Sequence, residues 1–212
     1  MIPRKFHRFW SGPPMPEEFD RYWTEWARLH PGWAMSSWTE ESLPRLNTHG
    51  LYRRAPELVT GPGHPIEQFR ADLVRYELLW LYGGVWVDCD LEPLRPLPLE
   101  NDGPVTLMAA WEKQGMWVGN SILGAAPRHP FIGRLLQDLI DEDWRVPQRP
   151  ARVSGPQFLT RRIDHYGPGI YILDEKLIYP YSWKELHREG EKFPDAYAIH
   201  HWHNRRSVTS GT

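Results

Sequence analysis

The chain is short of cysteine, of long apolar runs and of excess charge of either sign. Its 212 residues include one cysteine, Cys89. An internal disulfide is therefore excluded, and a reducing compartment, the cytoplasm, is the expected setting. No uncharged apolar stretch is long enough to span a bilayer, and Met1-Ile2-Pro3-Arg4-Lys5 lacks the apolar run of a signal peptide. With 25 Lys and Arg against 27 Asp and Glu, the formal net charge is -2. That balance carries neither a basic nucleic-acid footprint nor an acidic tail. The local basic cluster, Arg145, Arg149 and Arg152 with Arg161 and Arg162, reads as a solvated face. No internal repeat or low-complexity tract stands out.

What the chain does have is length for one domain over residues 1–212, with a sizeable core, and an unusual load of 12 Trp and 21 Pro. Most Trp side chains are expected in that core. Any left accessible offers a stacking face to a sugar or a nucleobase.

Helical and strand-like segments alternate along the chain. Ile2 to Trp10 reads as a strand, and Ser11-Gly12-Pro13-Pro14 ends it. Pro16 to Leu29 reads as a helix with Phe19, Trp23 and Trp26 near one face, stopped by Pro31-Gly32. Trp33 to Trp38 is a second strand, followed by a loop-rich region through His64. Pro65 to Leu81 is the clearest helix, because Phe69, Leu73, Tyr76 and Trp80 recur at three- and four-residue spacing. Gly83-Gly84 ends it, and Val85-Trp86-Val87 forms a short strand that stops at Asp88. Leu91 to Leu99, broken by three prolines, reads as extended loop.

Farther on, Val105 to Trp111 reads as a strand, Val118 to Ser121 as a turn, and Pro130 to Ile140 as a helix. Residues 145–156 read as loop and Gln157 to Tyr166 as a helix. Gly169 to Leu173 and Ala196 to His201 read as late strands. The alternation favours an α/β fold with a mostly parallel sheet flanked by helices.

Asp88 and Asp90 lie two apart at the end of a buried strand, where open α/β sheets bind ligands. A hard divalent ion favours carboxylate oxygens and bridges them to substrate phosphates. Two adjacent carboxylates without a cation repel each other. The spacing alone is common, and for the triplet by itself a solvated turn is the favoured reading.

The surrounding residues are more specific. From Ala71 the chain runs Ala-Asp-Leu-Val-Arg-Tyr-Glu-Leu-Leu-Trp-Leu-Tyr-Gly-Gly-Val-Trp-Val-Asp-Cys-Asp-Leu-Glu-Pro-Leu. This resembles the DXD-containing sugar transferases of the initiating mannosyltransferase and capsule-synthesis type. It is more distantly similar to the glucosyltransferase domains of clostridial toxins. The core of the likeness covers residues 66–97, and softer likeness reaches Ile2–Trp10, Pro31-Gly32-Trp33, Gly119-Asn120, Gly155-Pro156 and Ala198–Trp202.

The resemblance implies a GT-A fold, a nucleotide-sugar donor such as a UDP-hexose or GDP-mannose, Mn²⁺ or Mg²⁺, and retention at the anomeric carbon. It also implies a glycan acceptor, with protein or modified nucleic acid as other possibilities. Asp72 and Arg75 would contact the donor sugar, Asp88 the ribose and the metal, Asp90 the metal directly. His200 would complete the metal shell, with His201 and His203 as alternatives. Trp10 would stack on the nucleobase and Asn120 would bond the sugar.

Each role has a plainer reading: an i, i+3 ion pair for Asp72 and Arg75, a core aromatic for Trp10, a turn former for Asn120, a structural hydrogen bond for His200. Gly83-Gly84 reads as structural, and Cys89 as a small inward-facing hydrophobe. The segment after Trp202, His203-Asn204-Arg205-Arg206, departs from the Gly-Ser and tryptophan pattern of related enzymes. A metal-dependent phosphohydrolase or nucleotidyltransferase, or an inactive glycan-binding module, are the rival functions.

Overall fold

The structure, a computed structural model, describes residues 1–12, 14–99, 105–166 and 169–203; Asn204 to Arg206 lie outside them. The elements in order are β1 (Lys5–Phe9), α1 (Glu17–Leu29), β2 (Ala34–Trp38), α2 (His49–Leu58), α3 (Pro65–Tyr82), β3 (Gly84–Val87), β4 (Leu91–Pro93), β5 (Leu107–Lys113), β6 (Trp117–Ala125), α4 (Pro130–Asp141), α5 (Pro150–Val153), α6 (Pro156–Tyr166), β7 (Tyr171–Leu173), α7 (Glu175–Ile178) and β8 (Ala198–His200). Six strands form the central sheet in the order β2-β1-β3-β6-β5-β7. Only β6 runs against the other five. The expected mostly parallel α/β sheet is therefore the one found. A separate antiparallel ribbon pairs β4 with β8.

Period-two alternation divides the sheet between two cores. Trp86, Ala109 and Leu123 face a cluster completed by Leu58, Phe69, Leu73, Leu135 and Phe158 from α2, α3, α4 and α6. Their neighbours Val85, Val87, Met108, Ala110 and Ile122 face a second cluster with Trp26 of α1, Ile178 of α7 and Ala198 of β8. Each fully buried large apolar side chain contributes about 1.5–3 kcal/mol. Both sheet faces are thus covered, and functional groups are left to the strand ends.

Helix α3 is less amphipathic than its spacing suggests. Its buried residues Phe69, Asp72, Leu73, Val74, Arg75, Tyr76, Glu77, Leu78 and Leu79 leave little of it facing water. Buried Glu77 accepts from Asn47 Nδ2 (2.9 Å) and from the Thr48 N–H and Oγ (2.7 and 3.0 Å), which ties α3 to the start of α2. Asp72 and Arg75 have a different use, described below. Gly83 and Gly84 have φ of 62° and 99°, the left-handed region that suits glycine. A Cβ on Gly83 would lie 2.6 Å from Pro127, and one on Gly84 2.6 Å from the Lys5 carbonyl. The pair lets the end of α3 pass directly over β1, so that β3 enters the middle of the sheet.

Four local expectations are corrected. The region before His64 contains α2, whose Tyr52, Ala55 and Leu58 are buried. Pro56 within it has no N–H to offer the Tyr52 carbonyl, and Arg70 Nε donates to that oxygen instead, at 3.3 Å. Leu91–Pro93 is a strand because β8 pairs with it. Pro150–Val153 is a single helical turn. Val118 to Ser121 is the interior of β6, between β3 and β5. Its glycine and polar residues hide the strand pattern, but each has a partner on a neighbouring element.

His7, fully buried, has its tautomer set by two neighbours. Its Nε2 lies 2.9 Å from the Gly83 carbonyl and therefore carries the proton, while Nδ1 accepts the Trp38 indole N–H at 3.1 Å. Burial pushes the imidazole from its ordinary 6.5 down to about 4, with the Gly83 bond opposing and the Lys5 charge assisting. The unfolded chain takes up this proton near pH 6.5 and the folded chain only near pH 4. Stability from this group is therefore complete above 6.5 and lost as pH falls toward 4. Urea titrations should show about 3 kcal/mol less stability at pH 4 from this source, and a His7→Gln variant should lack that part of the acid dependence.

Candidate active site

Strand β3 delivers Asp88 to the carboxyl edge of the sheet, where its N–H donates to the Ser121 carbonyl of β6 (2.8 Å). The chain then turns, with the Leu91 N–H returning to the Asp88 carbonyl (3.1 Å). Asp90 sits on that turn, immediately before β4. Because Leu91 is in register with His200, the β4–β8 ribbon sets His200 beside the acidic turn. Two further bonds pin the strand's exit to Asp90. The His201 N–H donates to its carbonyl (3.1 Å) and the His203 N–H to its Oδ2 (2.9 Å).

Arg75 joins the helix to the turn. One guanidinium nitrogen donates to Asp72 Oδ1 (2.8 Å) and another to Asp88 Oδ1 (2.7 Å), with the Arg75 side chain only 3% exposed. The i, i+3 ion pair of the plainer reading is present, but it is buried and its guanidinium is shared with Asp88. Asp72 also accepts from Asn120 Nδ2 on β6 (2.8 Å) and from Ser154 Oγ beyond α5 (2.7 Å). Asp88 Oδ1 takes a second bond from the Trp86 indole N–H (2.7 Å), and the Arg75 guanidinium lies 5.0 Å from that ring. Burial pushes the Asp72 carboxyl up to about 6, against the pull of Arg75 and Ser154. Burial also raises Asp88, opposed by Arg75 and reinforced by Asp90.

Among the described residues, one grouping of metal-ligating side chains stands out: Asp88, Asp90 and His200, with one ligand atom from each lying within 4.8 Å of the others. His200 Nε2 is 3.3 Å from Asp90 Oδ1 and 3.9 Å from Asp88 Oδ2, and its side chain is 12% exposed. Burial opposes charge on both partners. Even so, the His200 ring and the His203 N–H hold Asp90 below the usual carboxylate range, and the two acids hold His200 above its ordinary value. The donor chemistry fits a hard or borderline divalent ion, two carboxylates with one imidazole. Charge fits as well. Asp72 and Asp88 share one guanidinium while Asp90 adds a third carboxylate beside Asp88, an excess of negative charge that a cation would relieve.

His201, the alternative ligand, is occupied elsewhere: its ring meets Glu92 (2.8 Å) and Glu189 (3.2 Å) and stacks on Tyr22. The ring of His203 faces Phe19, with its Nδ1 buried and without a hydrogen-bond partner. The three acids, Arg75, His200 and His203 border a cleft of about 810 Å³ that also includes Trp10, Asn120, Tyr179 and Trp183. Trp10 stands edge-on to Phe19 in its wall. The Cys89 thiol donates toward the Phe9 carbonyl at 3.5 Å, and burial raises its pKa, so it is no nucleophile.

Sequence reasoning missed Ser154, Trp86 and Tyr179. The Tyr179 hydroxyl bonds Ser121 Oγ at 2.6 Å and occupies the space that a side chain at Gly119 would need. No local pattern marks a serine 82 positions from its carboxylate partner. In the structure Trp86 lies on the sheet face opposite its neighbours Val85 and Val87.

Removing Arg75 would leave Asp72 and Asp88 buried beside Asp90 with no guanidinium between them. Arg75→Met should therefore lower the stability of the metal-free protein by about 3 kcal/mol or more at neutral pH, measured by urea unfolding. Much of that loss should return at mildly acidic pH, where Asp72 is neutral.

Comparison with known proteins agrees with this geometry. Residues 16–110 match the family described as glycosyltransferase sugar-binding region containing DXD motif. The mannosyl phosphorylinositol ceramide synthase SUR1 of Saccharomyces cerevisiae is 30% identical over 76% of this chain and 41% of its own length. Inositol phosphoceramide mannosyltransferase 3 of Schizosaccharomyces pombe is 27% identical over 95% of this chain and 60% of its own length. This chain thus spans about half the length of the curated relatives it matches. Among solved structures, the PaToxG glycosyltransferase superposes with a TM-score of 0.65 at 14% identity, over 79% of this chain and 71% of that one, a likeness of fold. With the Asp-x-Asp turn at the end of the central strand inside the matched region, residues 16–110 carry the glycosyltransferase sugar-binding region that contains the DXD motif.

Proposed function

We propose that this chain is a metal-dependent, retaining glycosyltransferase that moves a hexose, mannose first among the candidates, from a nucleoside-diphosphate sugar to an acceptor hydroxyl on a glycan or glycolipid headgroup. The names of the relatives support mannose and an inositol-bearing acceptor. The observation that carries the reading is a set of three buried nitrogens without partners, Arg75 Nε, His200 Nδ1 and His203 Nδ1. All three residues border the cleft that holds Asp88 and Asp90. Buried polar atoms are rarely left unpaired; the Arg75 Nε–H lacks an acceptor, and each imidazole Nδ1 lacks one whenever it carries the proton. A nucleoside diphosphate would supply oxygen acceptors for such N–H groups, and Asp88, Asp90 and His200 would hold the cation that balances its charge.

In this reading Trp10 offers its ring to the base and Asp88 faces the ribose. Asp72, Arg75 and Asn120 form the floor under the transferred sugar. The acceptor oxygen bonds to the anomeric carbon, the bond to the diphosphate breaks with its electron pair leaving on phosphate oxygen, and that oxygen takes the acceptor's proton on the same face. Asp72 is a poor candidate for a covalent nucleophile, because Arg75, Asn120 and Ser154 already engage it. Asp88, Asp90 and His200 would hold a divalent ion, Mn²⁺ before Mg²⁺ because of the imidazole, which would supply charge neutralisation for the departing diphosphate. The placement in a reducing compartment, read from the single cysteine, belongs to the same proposal.

Slow transfer to water tests this without knowledge of the acceptor. A panel of nucleotide-sugars with Mn²⁺, Mg²⁺ or chelator should yield nucleoside diphosphate and free hexose from one donor. Chelation or Asp90→Ala should cut the rate on the order of a hundredfold or more. Release of nucleoside monophosphate and sugar phosphate would instead identify a phosphohydrolase, and a rate indifferent to chelator and mutation would overturn the metal-carboxylate mechanism.

A further inference from the structure

The cleft extends past the carboxylates to a wall that the donor reading leaves unused. This wall combines the hairpin end of β5 and β6, with Glu112, Lys113 and Trp117, and the segment after α7 that carries Ser182, Trp183 and Lys184. Trp183 is the only tryptophan among the exposed large hydrophobics of the described residues, at 39% exposure. Most others are buried or partly buried, as their chemistry favours. A tryptophan left open to water at the lip of a polar cleft contributes little to the core.

Its loop is also held firmly. The Ser182 N–H and Oγ both donate to Glu185 Oε2 (3.0 and 2.8 Å), the Glu185 N–H returns to the Ser182 carbonyl (2.8 Å), and Arg188 donates to the Pro180 carbonyl (3.1 Å). The Trp202 indole N–H donates to the Tyr181 carbonyl (3.0 Å), and the Tyr181 hydroxyl meets His201 Nδ1 (3.2 Å). The loop bearing Trp183 is thereby fixed to the strand exit that carries His200. Across the wall, Glu175 accepts the Gln114 N–H (2.7 Å), which ties the hairpin tip to the start of α7. Lys184 Nζ lies 5.3 Å from the Trp183 ring centroid.

We infer that this wall is the acceptor subsite, with Trp183 as the stacking platform for an acceptor pyranose ring and Lys113, Glu112 and Lys184 as partners for its hydroxyls. An apolar ring bordered by charged groups is the combination that a sugar needs: one face of C–H bonds and a rim of hydroxyls. Pre-organisation by the loop's own hydrogen bonds keeps the ordering cost of binding low. The inference rests on the transferase reading for the word acceptor, although the binding surface itself does not need it.

Two measurements on the full chain separate the two ideas. Saturation-transfer NMR, with neither donor nor metal, uses methyl glycosides of mannose, glucose, galactose and N-acetylglucosamine as probes. At least one should receive saturation from the wild type, on the order of tenfold less from Trp183→Ala, and nearly as much from Trp183→Phe. In parallel, donor hydrolysis by Trp183→Ala should stay within about twofold of wild type. Equal signals from wild type and Trp183→Ala for every glycoside, whether all strong or all absent, overturn the subsite. A Trp183→Ala variant that loses donor hydrolysis along with glycoside binding also overturns it, because the loop would then serve the donor. Loss of glycoside binding in a chain with no donor turnover would keep the subsite and remove the transferase.

Discussion

The site depends on one buried cation. Arg75, from the middle of a helix with little exposure, bridges a carboxylate on its own helix to a carboxylate at the end of the central strand. Bringing a guanidinium and two carboxylates out of water costs several kcal/mol per ion before their attraction is counted. The arrangement is tolerable because the other lone pairs are used. Asn120, Ser154 and Trp86 each aim an N–H or O–H at these acids. Four elements of secondary structure therefore meet at two carboxyl groups, and a shift in any of them would leave a buried charge without a partner.

The second constraint is register. The β4–β8 ribbon lies outside the main sheet and is only three residues long on each strand. It nevertheless decides which histidine meets the acids. A slip of one residue would turn His200 away and bring His201 inward, because successive side chains point to opposite faces. The bonds from the backbone of His201 and His203 to Asp90, and the seat of the His201 ring between Glu92 and Glu189, hold the observed pairing. Through these contacts the last described segment of the chain becomes one side of the cleft.

Donor and acceptor readings then fall on different parts of a single cleft. The proposed donor side is built on α3, β3 and β6, elements inside or against the main core. The proposed acceptor side is built on a hairpin end and a hydrogen-bonded loop. Cores resist changes of volume, whereas surface loops accept substitution. A scaffold divided in this way can keep one charge arrangement while varying the surface that meets the acceptor.

The sequence by itself determined the parts whose cause is local. The spacing of Phe69, Leu73, Tyr76 and Trp80, the two glycines that allow positive φ, the short apolar run and the Asp-x-Asp step all lie within about 25 residues, and each reports its own backbone. They gave the central helix, the strand after it, the acids at the strand's end and the α/β class. Tertiary structure decided the rest. Asn120 belongs to a strand because β3 and β5 flank it, although Gly119-Asn120-Ser121 has the composition of a turn. Ser154 serves Asp72 across 82 positions, and His203 serves Asp90 across 113. Whether Asp72 and Arg75 form a surface pair or a buried network, and which of three neighbouring histidines faces the carboxylates, depend on what packs against them. Such contacts join residues far apart in the chain, and no local propensity or periodicity encodes the partner at the other end.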